Sequence, residues 1–207
     1  MKKIKKMNYK NKIFASWPYL GKSEVASVKE VLNDGWLGSG EFVSTFENNI
    51  GKKLSLKNKY VTCIKTGSDA IKIALYVAKV KPGDEVILPS LNFLGAAQAV
   101  MMSGAIPVFC DIDPETLTVN EKFIARMITK KTKAIISVDY SCAISPVKKI
   151  KAICGKKIRV IHDAAHSFYS KEGNKFIGNY SDICMFSFDP LKSLTCIDGG
   201  ALILNSK

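Results

Sequence analysis

Two rhythms of apolar residues run through this chain. Short β-branched runs alternate with stretches in which apolar residues return every third or fourth position. "KYVTCI" (59–64) leads into "GSDAIKIALYVAKV", where Ile71, Leu75 and Ala78 share one helical face. "DEVILPS" leads into "FLGAAQAVMMSG", "IPVFCDID" into "NEKFIARMITK", and "KAIISVDY" into "SPVKKIKAICG", with "IRVIHDAA" following. This strand–helix alternation, punctuated by turns such as "KPGD", predicts an α/β fold: a mostly parallel sheet with helices on both faces. "DICMFSF" and "GGALILN" add two more strands. Ahead of the alternation, "SEVASVKEVLNDG" predicts a helix capped by Ser23 and stopped by Gly35.

Composition changes this picture little. With 207 residues and 47% hydrophobic content the chain can build a core. The net charge of +13 raises the possibility of a basic nucleic-acid-binding module, but all of the 31 basic residues except Arg126 and Arg159 are lysines. They are scattered instead of gathered into a stripe, so a solvated surface is expected and nucleic acid is not an expected partner. Six cysteines without a C-x-x-C pair, and two histidines, suggest neither a metal site nor a disulfide framework. Most of the cysteines sit in apolar runs, as free thiols of a reducing cytoplasm do. The basic segment 1–16 lacks an unbroken apolar stretch, so neither a secretory leader nor a membrane span is expected.

In open α/β sheets ligands collect at the carboxyl ends of the strands, and the loops there hold the candidates. "KTGSDA" opens a helix with Gly67 and the hydroxyls of Thr66 and Ser68, which serve either as an ordinary cap or as a phosphate cradle. Phe93, after "EVILPS", belongs to the core or stacks on a flat ligand. Asp163 ends an apolar strand, where a carboxylate needs a partner; it caps the next turn or holds a ring nitrogen protonated. His166 follows three residues later, as a structural residue or beside that ligand. In "MFSFDPLKSLTCIDGG" the one cation, Lys192, is surrounded by residues that read as interior, and a sequestered amine is a nucleophile toward carbonyls. A phosphate cradle, a stacking ring, a buried carboxylate and such a lysine together describe pyridoxal 5'-phosphate.

Between "EVASVKEVLNDGWLGSGEFVSTFENNIG" and "DICMFSFDPLKSLTCIDGG", by way of "TGSDAIKIAL", "KPGDEVILPSLNFLGAAQAVMMSGAIPVFCDIDPETLTVN" and "VIHDAAHSF", the chain resembles the DegT/DnrJ/StrS sugar aminotransferases of the fold-type I pyridoxal-phosphate enzymes. The resemblance covers residues 17–207. It implies that Lys192 links covalently to the cofactor and then shuttles protons, that Asp163 pairs with the ring nitrogen, and that Gly67, Ser68 and Ser187 hold the phosphate. Phe93 would stack on the ring, and His166 would stand near its oxygen. The implied reaction moves an amino group, commonly from glutamate, to a keto group of a nucleotide-linked sugar, in a cytoplasmic homodimer. Relatives that dehydrate such sugars carry histidine in place of this lysine, so Lys192 favours transamination.

Four departures accompany the resemblance. "TGS" replaces the usual "SGT", "SCAISPVKK" replaces a Gly-x-Pro turn after "VDY", and His162 replaces a glutamate. By the resemblance, the family's small carboxyl-terminal domain, which closes the site, is expected to lie beyond these residues, and residues 17–207 are expected to be a truncated large domain. The rival expectation is a catalytically inactive remnant of the same fold.

Overall fold

Alternating side-chain direction along the strands sorts the apolar residues into two layers. The computed structural model of the chain describes Ile13 and residues 17–205; the basic segment 1–16 lies, apart from Ile13, outside the described residues. Seven strands form one sheet: β1 (Lys59–Ile64), β2 (Glu85–Pro89), β3 (Ile106–Cys110), β4 (Thr132–Val138), β5 (Arg159–Asp163), β8 (Ile183–Ser187) and β9 (Gly200–Asn205). Their order is β1-β9-β8-β5-β4-β2-β3; β9 runs antiparallel to both β1 and β8, and the other pairs are parallel. The expected mostly parallel sheet is therefore present. A short hairpin of β6 (Lys171–Glu172) and β7 (Lys175–Phe176) stands beside it.

On one face, Val86, Leu88, Ile136, Val138, Ile161 and Met185 meet helices α3 (Gly67–Val77) and α4 (Leu94–Met102). On the other, Ile87, Ile135 and Val160 meet α5 (Glu121–Met127) and α6 (Val147–Cys154), while Phe186 and Ile203 meet α2 (Glu41–Lys53). Burial of both faces explains why the strands read as continuous apolar runs instead of alternating ones. In α3 and at its C-cap the predicted Ile71, Leu75 and Ala78 are all buried. Helix α2 lay outside the predicted elements, although Phe46 and Ile50 mark its buried face at helical spacing.

The predicted first helix forms as α1 (Lys22–Asp34), but its cap is Gly21, not Ser23. The Glu24 carboxylate accepts the Gly21 amide at 2.7 Å, and the Ser23 hydroxyl donates to that same carboxylate. Gly35 ends the helix as expected, with φ 79° and its amide bonded to the Val31 carbonyl. None of the α1 residues is buried, and Val25, Val28 and Leu32 present an apolar stripe to solvent. Among the described residues no helix is long and apolar enough to cross a membrane. All six cysteines are free; Cys110, Cys154 and Cys184 are buried, while Cys142 and Cys196 are exposed in the loops after β4 and β8.

Candidate active site

Strand register brings the candidates to one edge of the sheet. Val138, Asp163 and Met185 lie side by side across β4, β5 and β8, so the loops after these strands open at the same level. Antiparallel β9 starts at that level, with Gly200 opposite both Ile64 and Ser187. A cavity of about 670 Å³ opens there, and Gly67, Ser68, Phe93, Asp163, His166, Ser187 and Lys192 all line it. Residues that follow four separate strands thus converge, as expected for an open α/β sheet.

At the start of α3, the Thr66 hydroxyl accepts the Asp69 amide at 3.0 Å, and the Thr66 carbonyl accepts the Ala70 amide. Among the described residues no acceptor meets the amides of Gly67 and Ser68, which leaves two donors at the positive end of an eleven-residue helix. Gly67 is required by close approach: a Cβ there would lie 2.9 Å from Ser187 Cβ and 3.3 Å from Met185 Cε. Gly200 is tighter still, its Cβ falling 2.8 Å from the Thr66 carbonyl oxygen. The second glycine of the "DGG" run therefore lets β9 pass beneath the turn.

Phe93 is not a core residue. It is the N-cap of α4, 71% exposed, and a Cβ on Gly95 would touch its ring at 2.8 Å. The ring folds back over a residue without a side chain and reaches the cavity wall beside Ser68.

Asp163 is buried at the end of β5. Its Oδ1 accepts the Ala165 amide at 3.1 Å, which realises the turn-capping role. Among the described residues no donor is hydrogen-bonded to Oδ2. Burial raises this carboxyl above its ordinary range; the Ala165 amide, His162 and Lys192 only partly oppose the rise. His166 is half-buried, its Nδ1 accepting the Ser141 amide at 3.2 Å and its ring tilted against Tyr140. Burial, and then the charge of Lys192, lower its proton affinity, and because Nδ1 accepts from Ser141 the neutral ring carries its proton on Nε2.

Lys192 lines the cavity, but its surroundings are not the interior that the sequence suggests. Leu191 is 67% and Ile197 76% exposed. The loop between β8 and β9 has no strand partner. It hangs from Phe188, whose amide donates to Gly199 O and whose carbonyl accepts from Cys196 N and Thr195 Oγ1. Only its base is covered, and Lys192 is half-buried there.

The replaced turn after "VDY" closes as a two-residue hairpin between Tyr140 and Ala143. Ser141 and Cys142 both take positive φ, 47° and 68°, in the mirror-image turn that suits tight hairpins. Sequence reasoning missed Asp139, which also lines the cavity. The signal was the one that marked Asp163: a carboxylate directly after a buried apolar strand. Among the described residues no cluster of acidic, histidine or cysteine side chains is arranged to hold a metal.

Sheet order and crevice are those of the fold-type I aminotransferase fold. The chain belongs to the DegT/DnrJ/EryC1/StrS aminotransferase family, whose profile matches residues 18–207. It is similar to a dTDP-4-dehydro-2,3,6-trideoxy-D-glucose 4-aminotransferase of Saccharopolyspora spinosa, 36% identical over 184 residues, covering 88% of this chain and 48% of the relative. It is also similar to the GDP-perosamine synthase of Escherichia coli O157:H7, 33% identical over 92% of this chain and 52% of that protein. Among solved structures, the aminotransferase TlmJ of Streptoalloteichus hindustanus superposes with a TM-score of 0.88 at 33% identity, covering 92% of this chain and 52% of that one. The chain spans about half the length of the curated relatives it matches.

Proposed function

We propose that residues 17–207 are the cofactor-binding large domain of a cytoplasmic, pyridoxal-phosphate-dependent aminotransferase. The reaction is transfer of an amino group, with glutamate as donor, to a keto group of a nucleotide-linked sugar, for surface polysaccharide or amino-sugar biosynthesis. The substrate class is supported by the relatives, one named for a dTDP-linked dehydro sugar and the other for GDP-perosamine. A second copy of the chain is the expected partner, and the uncovered apolar stripe of α1 is compatible with one.

The observation that carries this reading is the set of unsatisfied groups on one cavity wall. The free amides of Gly67 and Ser68, with Ser187 packed against Gly67, fit a phosphate. The unpartnered Oδ2 of Asp163, on a carboxyl made costly to ionise by burial, fits a protonated ring nitrogen. Phe93 fits a flat ring, and Lys192 fits an aldehyde. The residues present therefore suit pyridoxal phosphate. When bound, this group supplies an aldehyde that carries the amino nitrogen and a ring that takes up the electron pair released at the donor carbon.

The chain's own residues would do the following. Lys192 would hold the cofactor's aldehyde through its Nζ, and its amine would be the base that moves a proton at the donor's Cα. Asp163 keeps a proton on the ring nitrogen. Gly67, Ser68 and Ser187 fix the phosphate, Phe93 covers a ring face and excludes water, and His166 offers its Nε2–H to the ring oxygen.

Mixing the purified chain with pyridoxal phosphate should produce a yellow protein, and borohydride reduction should fix the label on Lys192 in a peptide map. The Lys192→Ala variant should remain folded by circular dichroism and lose the colour. A colourless wild type, or label spread over surface lysines, refutes the assignment.

A further inference from the structure

Behind Asp163 lies a buried ion pair that the proposed chemistry does not use. His162 occupies the β5 position just before Asp163, facing the opposite side of the sheet. Its Nε2 is 2.9 Å from Asp139 Oδ1, and both side chains are buried, with 2% and 0% exposure. The contact is ionic when the imidazole is protonated.

Asp139 is more than a counter-ion. Its Oδ1 also accepts the Ser145 amide at 2.8 Å, and its Oδ2 accepts the Ser167 hydroxyl. Ser145 belongs to the loop after β4, Ser167 to the loop after β5. Asp139 also donates its own amide to the Asp163 carbonyl at 3.0 Å. One carboxylate thus ties together the two loops that flank Asp163.

We propose that His162 is a positioning residue: as an imidazolium it neutralises Asp139, so that Asp139 can clamp both loops beside Asp163 while Asp163 remains available as a carboxylate. This rests on the reading that Asp163 meets a ring nitrogen. The physical problem it solves is like charge. An unbalanced Asp139 beside Asp163 would favour the neutral acid at Asp163, which cannot pair with a protonated ring.

The other charged groups around the pair do not solve that problem. Lys192 faces Asp163 from the loop after β8 and acts only weakly on it. Glu172 of β6 adds a third acidic group near His162 and Asp139. Cys184 of β8 lies against the imidazole, with Lys59 of β1 beyond it. Burial is the largest single influence on His162 and by itself would strip its proton, but the charge and side-chain contact of Asp139, together with Cys184, outweigh it and raise His162 well above the ordinary histidine range.

Nuclear magnetic resonance of the cofactor-free 207-residue chain tests this directly. There are only two histidines, so ¹⁵N-histidine labelling gives two imidazoles, assigned with His166→Gln. At pH 7 His162 should be an imidazolium in the wild type and neutral in Asp139→Asn. A neutral His162 in the wild type, or one still protonated in Asp139→Asn, overturns the proposal.

In ¹³C-aspartate spectra, His162→Gln should move the Asp163 midpoint up by at least about one pH unit, a tenfold gain in proton affinity. The double variant His162→Gln/Asp139→Asn should return it to the wild-type midpoint. A purely structural role predicts no such reversal, and an unmoved midpoint in folded His162→Gln overturns the charge-balancing role. Should that single variant fail to fold, the wild-type and Asp139→Asn imidazoles decide alone. None of these signals requires cofactor, so failure to bind pyridoxal phosphate would refute the proposed function separately.

Discussion

Replacing Gly67 by alanine adds one methyl group at a close approach between α3 and β8. The new carbon would lie 2.9 Å from Ser187 Cβ, 3.1 Å from its Oγ and 3.3 Å from Met185 Cε. Met185 Cε is the end of a flexible chain and can move. Ser187 Cβ is one bond from a strand held in register on both sides, so the helix or the strand must shift by several tenths of an ångström. Overpacking of this kind costs about 1–3 kcal/mol. Alanine returns up to about 1 kcal/mol of helix propensity, less at a first-turn position. The clash wins, with a net loss of about 1–2 kcal/mol, or a melting point lower by about 2–8 °C for a domain of this size.

The same methyl group pushes Ser187 away from the free amides of Gly67 and Ser68, so affinity for pyridoxal phosphate should fall at least about tenfold, equivalent to 1.4 kcal/mol. Gly200→Ala is the internal comparison. Its Cβ would meet three backbone atoms between 2.8 and 3.0 Å, none of which can rotate aside, and its loss of stability should exceed that of Gly67→Ala. Urea denaturation without cofactor measures the first effect, and absorbance titration with cofactor the second. A Gly67→Ala protein as stable as the wild type and with unchanged affinity would refute the close-packing account of the turn.

Burial of Asp163 makes a prediction about cofactor-free stability. Because the folded-state carboxyl is raised, its contribution is present below the ordinary carboxyl value of about 4 and is lost as pH rises through the raised value. Asparagine is neutral throughout, so cofactor-free Asp163→Asn should match the wild type in acid and exceed its melting temperature at neutral pH, although it weakens the cofactor site; equal melting at neutral pH counts against a costly buried carboxylate. At the hairpin, Ser141→Asn with Cys142→Gly places residues suited to positive φ at both turn positions. The gain of about 1–2 kcal/mol in backbone strain outweighs the lost Cys142 thiol contact to the His166 carbonyl, so the urea midpoint should rise; a lower midpoint would show that the thiol contact matters more.

Local chemistry made much of this protein legible in its sequence. Apolar runs buried on both sides of the sheet announced the strands, and helical spacing in "GSDAIKIALYVAKV" placed Ile71, Leu75 and Ala78 in the core. The residues now on the cavity wall were legible because each breaks a local pattern: a carboxylate ending an apolar strand, a glycine opening a helix, a lysine before a glycine pair. Other features depend on contacts between segments distant in sequence, and no local pattern encodes those. The antiparallel entry of β9 decides why Gly200 must be glycine, since its constraint comes from Thr66. The Glu24 carboxylate displaced Ser23 as the cap of α1 because it reaches back to the Gly21 amide. Phe93 in sequence alone reads more readily as core, and only its fold over Gly95 brings it to the cavity. His162 stands on β5 and Asp139 directly after β4, and the parallel register of those two strands brings them within 2.9 Å. Lys192 shows the limit from the other side: apolar neighbours in sequence suggested an interior, but a loop without strand partners leaves Leu191 and Ile197 in solvent, because burial belongs to the packed sheet and not to the composition of the segment.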